Sequence, residues 1–360
     1  MTFYNIIRRR AMRVSGLLIT FALLLEQGAA LRADADSLPA ASELVVVGRM
    51  SSSFLNALAA SARPSSDGAT SRNRGHYLDA EFQRATDRTI PKALTQHDVA
   101  ALATSIRISN YTFAHQRQDG GFEYDRPNGH VTKSGKLAPW AEPAAAAFFL
   151  EDFGHTMLLL SESKWLRSDP SLASVRAQVK ALTPAGKNAV SWLVTQQDAL
   201  KTDTGAVNRT LMYGAAYYFN GRAFGNQDAI AVGESFIRNA LSRQMPDGTF
   251  PELGGFDSSY QAVSLYLAQI IYLQADPSDT SLRTALWASI ERGMERERSN
   301  LLPSGEMSTE GNTRVSGMVA GRQHIDALDV NLAFQYYAAI TQDESYAKAA
   351  ALLFNHYPSY

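Results

Sequence analysis

"QMPDGTFPEL", residues 244–253, decides the fold, because its pattern returns at residues 116–125 as "QRQDGGFEYD". Both fit Q-x-x-D-G-x-F. Residues 301–310, "LLPSGEMSTE", keep the glycine, with Ser304 in place of the acid and Met307 in place of the phenylalanine. Residues 200–209, "LKTDTGAVNR", keep an acid near a glycine. In such a turn Asp119 or Asp247 bonds the backbone ahead, the glycine takes positive φ, and the apolar residue plugs back onto helices. Copies spaced by roughly 45–85 residues indicate a helical-hairpin repeat.

The sequence between the copies agrees with this. Apolar residues recur at three- and four-residue steps, and alternating strand-like runs are scarce. Helices are expected over 95–116, 140–161, 184–198, 207–219, 227–244, 257–273, 280–297, 326–340 and 343–356. Thr183-Pro184 places proline at a first helical position, and Asp257, Asp279 and Asp343 stand where N-caps belong. Connections near 219–227, 273–280 and 340–343 are short, whereas those near 117–139, 199–206, 245–256 and 298–325 are long and carry glycine. Up and down helices then put the long connections at one end, where a helical barrel keeps its site. The expected fold class is all-α, an (α/α) toroid or barrel of about five to six helical hairpins over residues 76–360.

Composition narrows the function. The 360 residues are 45% hydrophobic, enough for a large buried core. A net charge of −1 gives no basic surplus to hold nucleic acid. The chain has no cysteine, which excludes disulfides, thiolate metal sites and a cysteine nucleophile. Its seven histidines form no HExxH or HxH pair, so no metal or cofactor is expected, although loop aspartates could take calcium. Residues 1–35 have a basic start (Arg8, Arg9, Arg10, Arg13), an apolar run from Leu17 to Leu25, and Ala33-Asp34-Ala35. That layout is a secretory signal, which implies a periplasmic or secreted protein without a membrane span after cleavage. Residues 36–75 are expected to be a poorly ordered lead-in with one short helix. Oligomeric state is not encoded in any feature of the sequence.

The repeated turns and the helical pattern over most of 95–356 resemble the α/α-toroid proteins. That architecture serves terpene cyclases and prenyltransferases, and polysaccharide lyases and glycoside hydrolases with (α/α) barrels. DxDD and DDxxD are missing, as are zinc ligands, so the resemblance implies a carbohydrate-active, polysaccharide lyase-like enzyme. Its substrate would be an acidic polysaccharide.

The candidate residues sit on helices that follow the long connections. Arg209, Tyr213 and Tyr217 step by four and share a face, with Asn208 at its edge. For β-elimination from a uronate, Asn208 and Arg209 would engage the carboxylate, and Tyr260 or His155 would move the proton. Tyr213, Tyr217, Gln261 and Glu252 would line subsites, and Trp140 and Phe256 could stack on sugar rings. Arg314 and His324, in the longest loop, could reach over the cleft. Hydrolysis is the rival chemistry, using a carboxyl pair drawn from Glu142, Glu252 and Asp257. A third reading is a non-catalytic glycan-binding protein.

Overall fold

The structure is a computed structural model that describes residues 38–39, 41–126, 131, 135–203, 205–313 and 324–360. Among these, the regular structure is entirely helical, with only isolated β-bridges besides. The α-helices are α1 (Glu43–Val47), α2 (Ser52–Ser61), α3 (Thr86–Gln96), α4 (Val99–Ala114), α5 (Ala141–Glu162), α6 (Lys164–Ser168) and α7 (Ala173–Thr195). They continue with α8 (Gln197–Lys201), α9 (Val207–Phe224), α10 (Gln227–Ser242), α11 (Ser258–Gln274), α12 (Thr280–Arg298), α13 (Ala327–Thr341) and α14 (Glu344–His356).

Burial divides the long helices into two kinds. α5, α9 and α11 are buried around nearly their whole circumference, and α13 is close to that, whereas α7, α10, α12 and α14 each bury one face. A helix that is apolar all round belongs inside, and one with a stripe belongs outside. The inner helices pack in succession, α3 on α5, α5 on α9, α9 on α11 and α11 on α13. Each also packs on the outer helix that follows it, as α9 does on α10. The short α1 touches α3, α5, α11 and α13 together.

The repeated turn explains how neighbouring hairpins join. Gly120, Gly248 and Gly305 have φ of 97°, 88° and 87°. A Cβ there would lie 2.5, 2.2 and 2.6 Å from the carbonyl oxygens of Asn188, Arg292 and Leu352, each on the next outer helix. Only glycine fits that seat and that φ. Asp119 Oδ1 accepts the Gly121 amide and Asp247 Oδ1 accepts the Thr249 amide, both at 3.0 Å. Gln116 donates to Gly120 O and Ala185 O, and Gln244 donates to Gly248 O and Ser289 O. The glutamine therefore ties its own turn to the outer helix on which the glycine rests. A further copy lies at Ser65–Ala69, where Asp67 accepts the Ala69 amide and Gly68 abuts Arg107 O. Residues 200–209 do not repeat this arrangement, because Asp203 binds Arg209 instead.

Several expectations need correcting. Segment 36–75 was expected to be a lead-in with one short helix, yet its described part carries α1 and α2 and buries Val46, Val47, Phe54 and Ala69 completely. Its apolar residues fill space between helices, so it belongs to the compact unit Ala41–Tyr360. Residues 95–116 hold a boundary: His97 closes α3 at φ 54°, and Asp98 caps α4 through the amides of Ala100 and Ala101. Pro184 lies inside α7 rather than at its start. It leaves the carbonyl of Lys180 without an amide partner, and Lys180 is exposed, so water can serve that carbonyl. The expected signal in 1–35 lies outside the described residues, among which no helix is long and apolar enough to cross a membrane.

Candidate active site

Asp152 of α5 organises the site. Its carboxylate accepts the amides of Ala85 and Thr86, both at 2.9 Å, and of Asp87 at 2.5 Å, which supplies the missing cap of α3. This fixes Arg84, Asp87 and Arg88 beside α5. Tyr266 of α11 donates to Asp87 Oδ2 at 3.3 Å. Glu151, the residue before Asp152, has Oε2 4.0 Å from Arg84 Nη2, while its Oε1 has no hydrogen-bond partner among the described residues. Burial pushes the Glu151 carboxyl up to about 7, against the pull of Arg84. Burial and the neighbouring Asp326 likewise raise Asp329 of α13, with Arg84 and Arg88 opposing.

Arg84 stands at the edge of this cluster. Its side chain is 35% exposed against 1% for Glu151, so Arg84 is the part that meets solvent. Burial disfavours its charge, but Glu151, Asp329, Asp87 and Asp152 more than compensate and keep it protonated. Its guanidinium lies over the Phe148 ring at 4.9 Å. Arg209 covers the same ring at 5.8 Å and Trp140 at 4.4 Å. Phe148 and Trp140 are both half-buried. Together these side chains form a band of alternating aromatic and cationic groups.

A second polar cluster lies further along α5. His155 Nε2 is 2.6 Å from Glu43 Oε1, and Tyr336 donates to the same oxygen at 3.0 Å. Gln274 donates to Glu43 Oε2 and Glu162 Oε1, both at 2.8 Å, and Glu162 Oε2 accepts the Leu44 amide. Burial alone would strip His155 of its proton, but the charge and hydrogen bond of Glu43 outweigh burial and raise it to about 9.

Of the residues singled out from the sequence, Arg209 is brought onto Trp140 and bonds Tyr213 and Asn208, while His155 and Gln261 lie in other clusters. His155 is fully buried in the Glu43 cluster. Tyr213 and Tyr217 are wholly enclosed, donating to Asp203 and to Leu193 O. Spacing placed them on one face, and that face packs against α10, where both rings meet Phe236. Arg209 pairs with Asp203 at 2.7 Å and bonds the Tyr213 hydroxyl, and Asn208 Oδ1 accepts the Arg209 amide. Gln261 bonds Phe250 N, Gly248 O and Gly293 O, so it holds the repeated turn. Asp257 caps α11 through the amides of Ser259 and Tyr260. Glu252 is buried in the loop, where its backbone pairs with Gly255. Glu142 pairs with Arg117 of the first turn at 2.5 Å. The Glu142 carboxyl is therefore engaged by Arg117 and that of Asp257 by the first-turn amides of α11. Tyr260 is half-buried in the first turn of α11, and His324 is exposed just before α13. Arg314 lies outside the described residues.

Arg84, Asp87, Arg88 and Phe148 did not emerge from the sequence. The first three depend on α3, whose Thr-rich start and internal Pro91 hide it. Arg84 and Ala85 precede the helix in non-helical conformations, so helical spacing does not link Arg84 to Asp87 and Arg88. Glu151 and Asp329 were visible on inner helices without anything to single them out. No group of three or more metal-ligating side chains is arranged to hold an ion among the described residues. In comparisons with known proteins, no family model matches the chain and no curated protein matches it.

Proposed function

We propose that the chain is a carbohydrate-active enzyme of the α/α-toroid type that hydrolyses glycosidic bonds of a polysaccharide. Toroid closure is supported by the contact of the outermost hairpins: Phe54 of α2 meets Phe354 of α14 edge-on at 5.7 Å, and Arg49 donates to Ala339 O. The observation that carries the chemistry is Glu151, a buried carboxyl with one oxygen unengaged and its pKa raised to about 7. Such a group keeps its proton near neutral pH and can deliver it to a leaving oxygen. Asp87, partly exposed and bonded by Tyr266, supplies the opposing carboxylate that activates water. Trp140 and Phe148 offer ring faces for sugars. A periplasmic or secreted location belongs to the same proposal.

β-Elimination from a uronate is the second reading. It is favoured by the arginines around the cluster, which can neutralise a carboxylate, and by half-buried Tyr260 as a proton-transfer group. One experiment separates the two. The protein is incubated with a panel of uronate-containing and neutral polysaccharides, following reducing ends and ultraviolet absorbance in parallel. Reducing ends without unsaturated products, abolished by Glu151→Gln, support hydrolysis. Unsaturated products that survive Glu151→Gln and vanish with Tyr260→Phe replace it with elimination.

A further inference from the structure

Beside the acid cluster lies a cavity of about 420 Å³ lined by Arg63, Arg74, Arg84 and Arg88. Glu81 is its one lining carboxylate side chain, and Arg126 already neutralises Glu81 at 2.5 Å. No side-chain carboxylate lies within ion-pair distance of Arg63, Arg74 or Arg88 among the described residues. Arg63 donates to an oxygen of Tyr360, the last residue of the chain, which is an α-carboxylate where the terminus is free, and Arg74 donates to Arg63 O. Four arginines therefore line one concave space; Arg84 is offset by the acids behind it and Arg88 acts on Asp329, while no side-chain carboxylate pairs directly with Arg74 or Arg88 among the described residues. Like charges gathered in one cavity repel, so the arrangement is costly unless an anion joins it. Arg84 belongs to both places, lining the cavity while its Nη2 faces Glu151 at 4.0 Å.

We propose that this cavity binds the carboxylate of an acidic sugar residue, next to the bond that the Glu151 cluster cleaves; the inference rests on the glycan-cleaving reading. Guanidinium forks match a carboxylate in shape and charge, and the pairing is strengthened where part of the site is shielded from water. Phe82 lines the cavity with Arg126 over its ring at 4.8 Å, and Phe148 lies under the guanidinium of Arg84. A sugar ring can rest on them while its acid group reaches the cavity.

The test is calorimetric binding to the full chain of a panel of uronic-acid oligosaccharides, their neutral counterparts and inorganic phosphate. Glu151→Gln serves as a background that binds without turnover. At least one acidic oligosaccharide should bind about tenfold or more tightly than its neutral counterpart, and lose that margin with Arg74→Gln or Arg88→Gln. The margin should also shrink as salt is raised. Arg74 is exposed, so its variant stays informative if the Arg88 variant unfolds. Equal binding of neutral and acidic oligosaccharides, indifferent to both arginine variants, overturns the inference and leaves the glycan reading standing. Binding of phosphate alone, with no oligosaccharide bound, overturns both.

Discussion

His155 and Glu151 lie one turn apart on α5, both buried, in opposite circumstances. The carboxylate at His155 is saturated: Glu43 receives the imidazole, a phenol and an amide, and the Gln274 amide continues to Glu162. At Glu151 one oxygen has a single cation at a long 4.0 Å and the other has nothing. A buried carboxylate that accepts from several donors is held fixed, even though the Nδ1 of His155 itself has no partner among the described residues, whereas a carboxyl left without donors is costly to keep charged. Under the proposed function, the difference separates a clamp from a reactive group within one helix.

Removing the clamp should have the largest effect. Glu43→Ala leaves a buried imidazole without its counter-charge and should cost about 3–5 kcal/mol in denaturant unfolding. If Glu43→Ala is no less stable than the native chain, the clamp reading fails. Glu151→Gln should do the reverse, lowering turnover by about 10²–10⁴-fold while stability stays within about 1 kcal/mol. A variant that unfolds but, where folded, still turns over would collapse the distinction.

The two residues also differ in pH dependence. Both have pKa values raised on folding, so each contributes stability at low pH that is lost as pH rises. For Glu151 the loss runs from its ordinary 4.5 to about 7, and for His155 from 6.5 to about 9. Thermal unfolding across pH should therefore show a decline in two stages, and Glu43→Gln should erase the upper one. Activity should fall above pH of about 7 as Glu151 loses its proton. The smallest effects come from the two phenols. Tyr336→Phe should cost about 1 kcal/mol of stability with turnover unchanged, and Tyr266→Phe should lower turnover with little change in stability. Equal profiles for the two variants would erase the contrast.

The sequence made the scaffold legible and left much of the site obscure, for a physical reason. Gln116, Asp119 and Gly120 perform short-range work within their turn and against one neighbouring helix, so they recur as a motif. The long inner helices show in their apolar residues. Glu43 and Arg84 work across the fold, and nothing near them in sequence marks that role. Helical spacing placed Tyr213 and Tyr217 on one face correctly, but spacing does not say which neighbour that face meets. Phe236 meets it.

The seat of each repeated glycine also has a consequence for the order in which the chain becomes structured. Every turn leans on a helix that lies further along the polypeptide: Gly68 on Arg107, Gly120 on Asn188, Gly248 on Arg292 and Gly305 on Leu352. During synthesis each turn emerges before its support exists and stays unsettled until the next hairpin follows. Glu43 waits far longer than any of these turns, for a tyrosine 293 positions downstream. The growing chain thus defers its commitment, and its first helix is secured only when the hairpin carrying Tyr336 arrives.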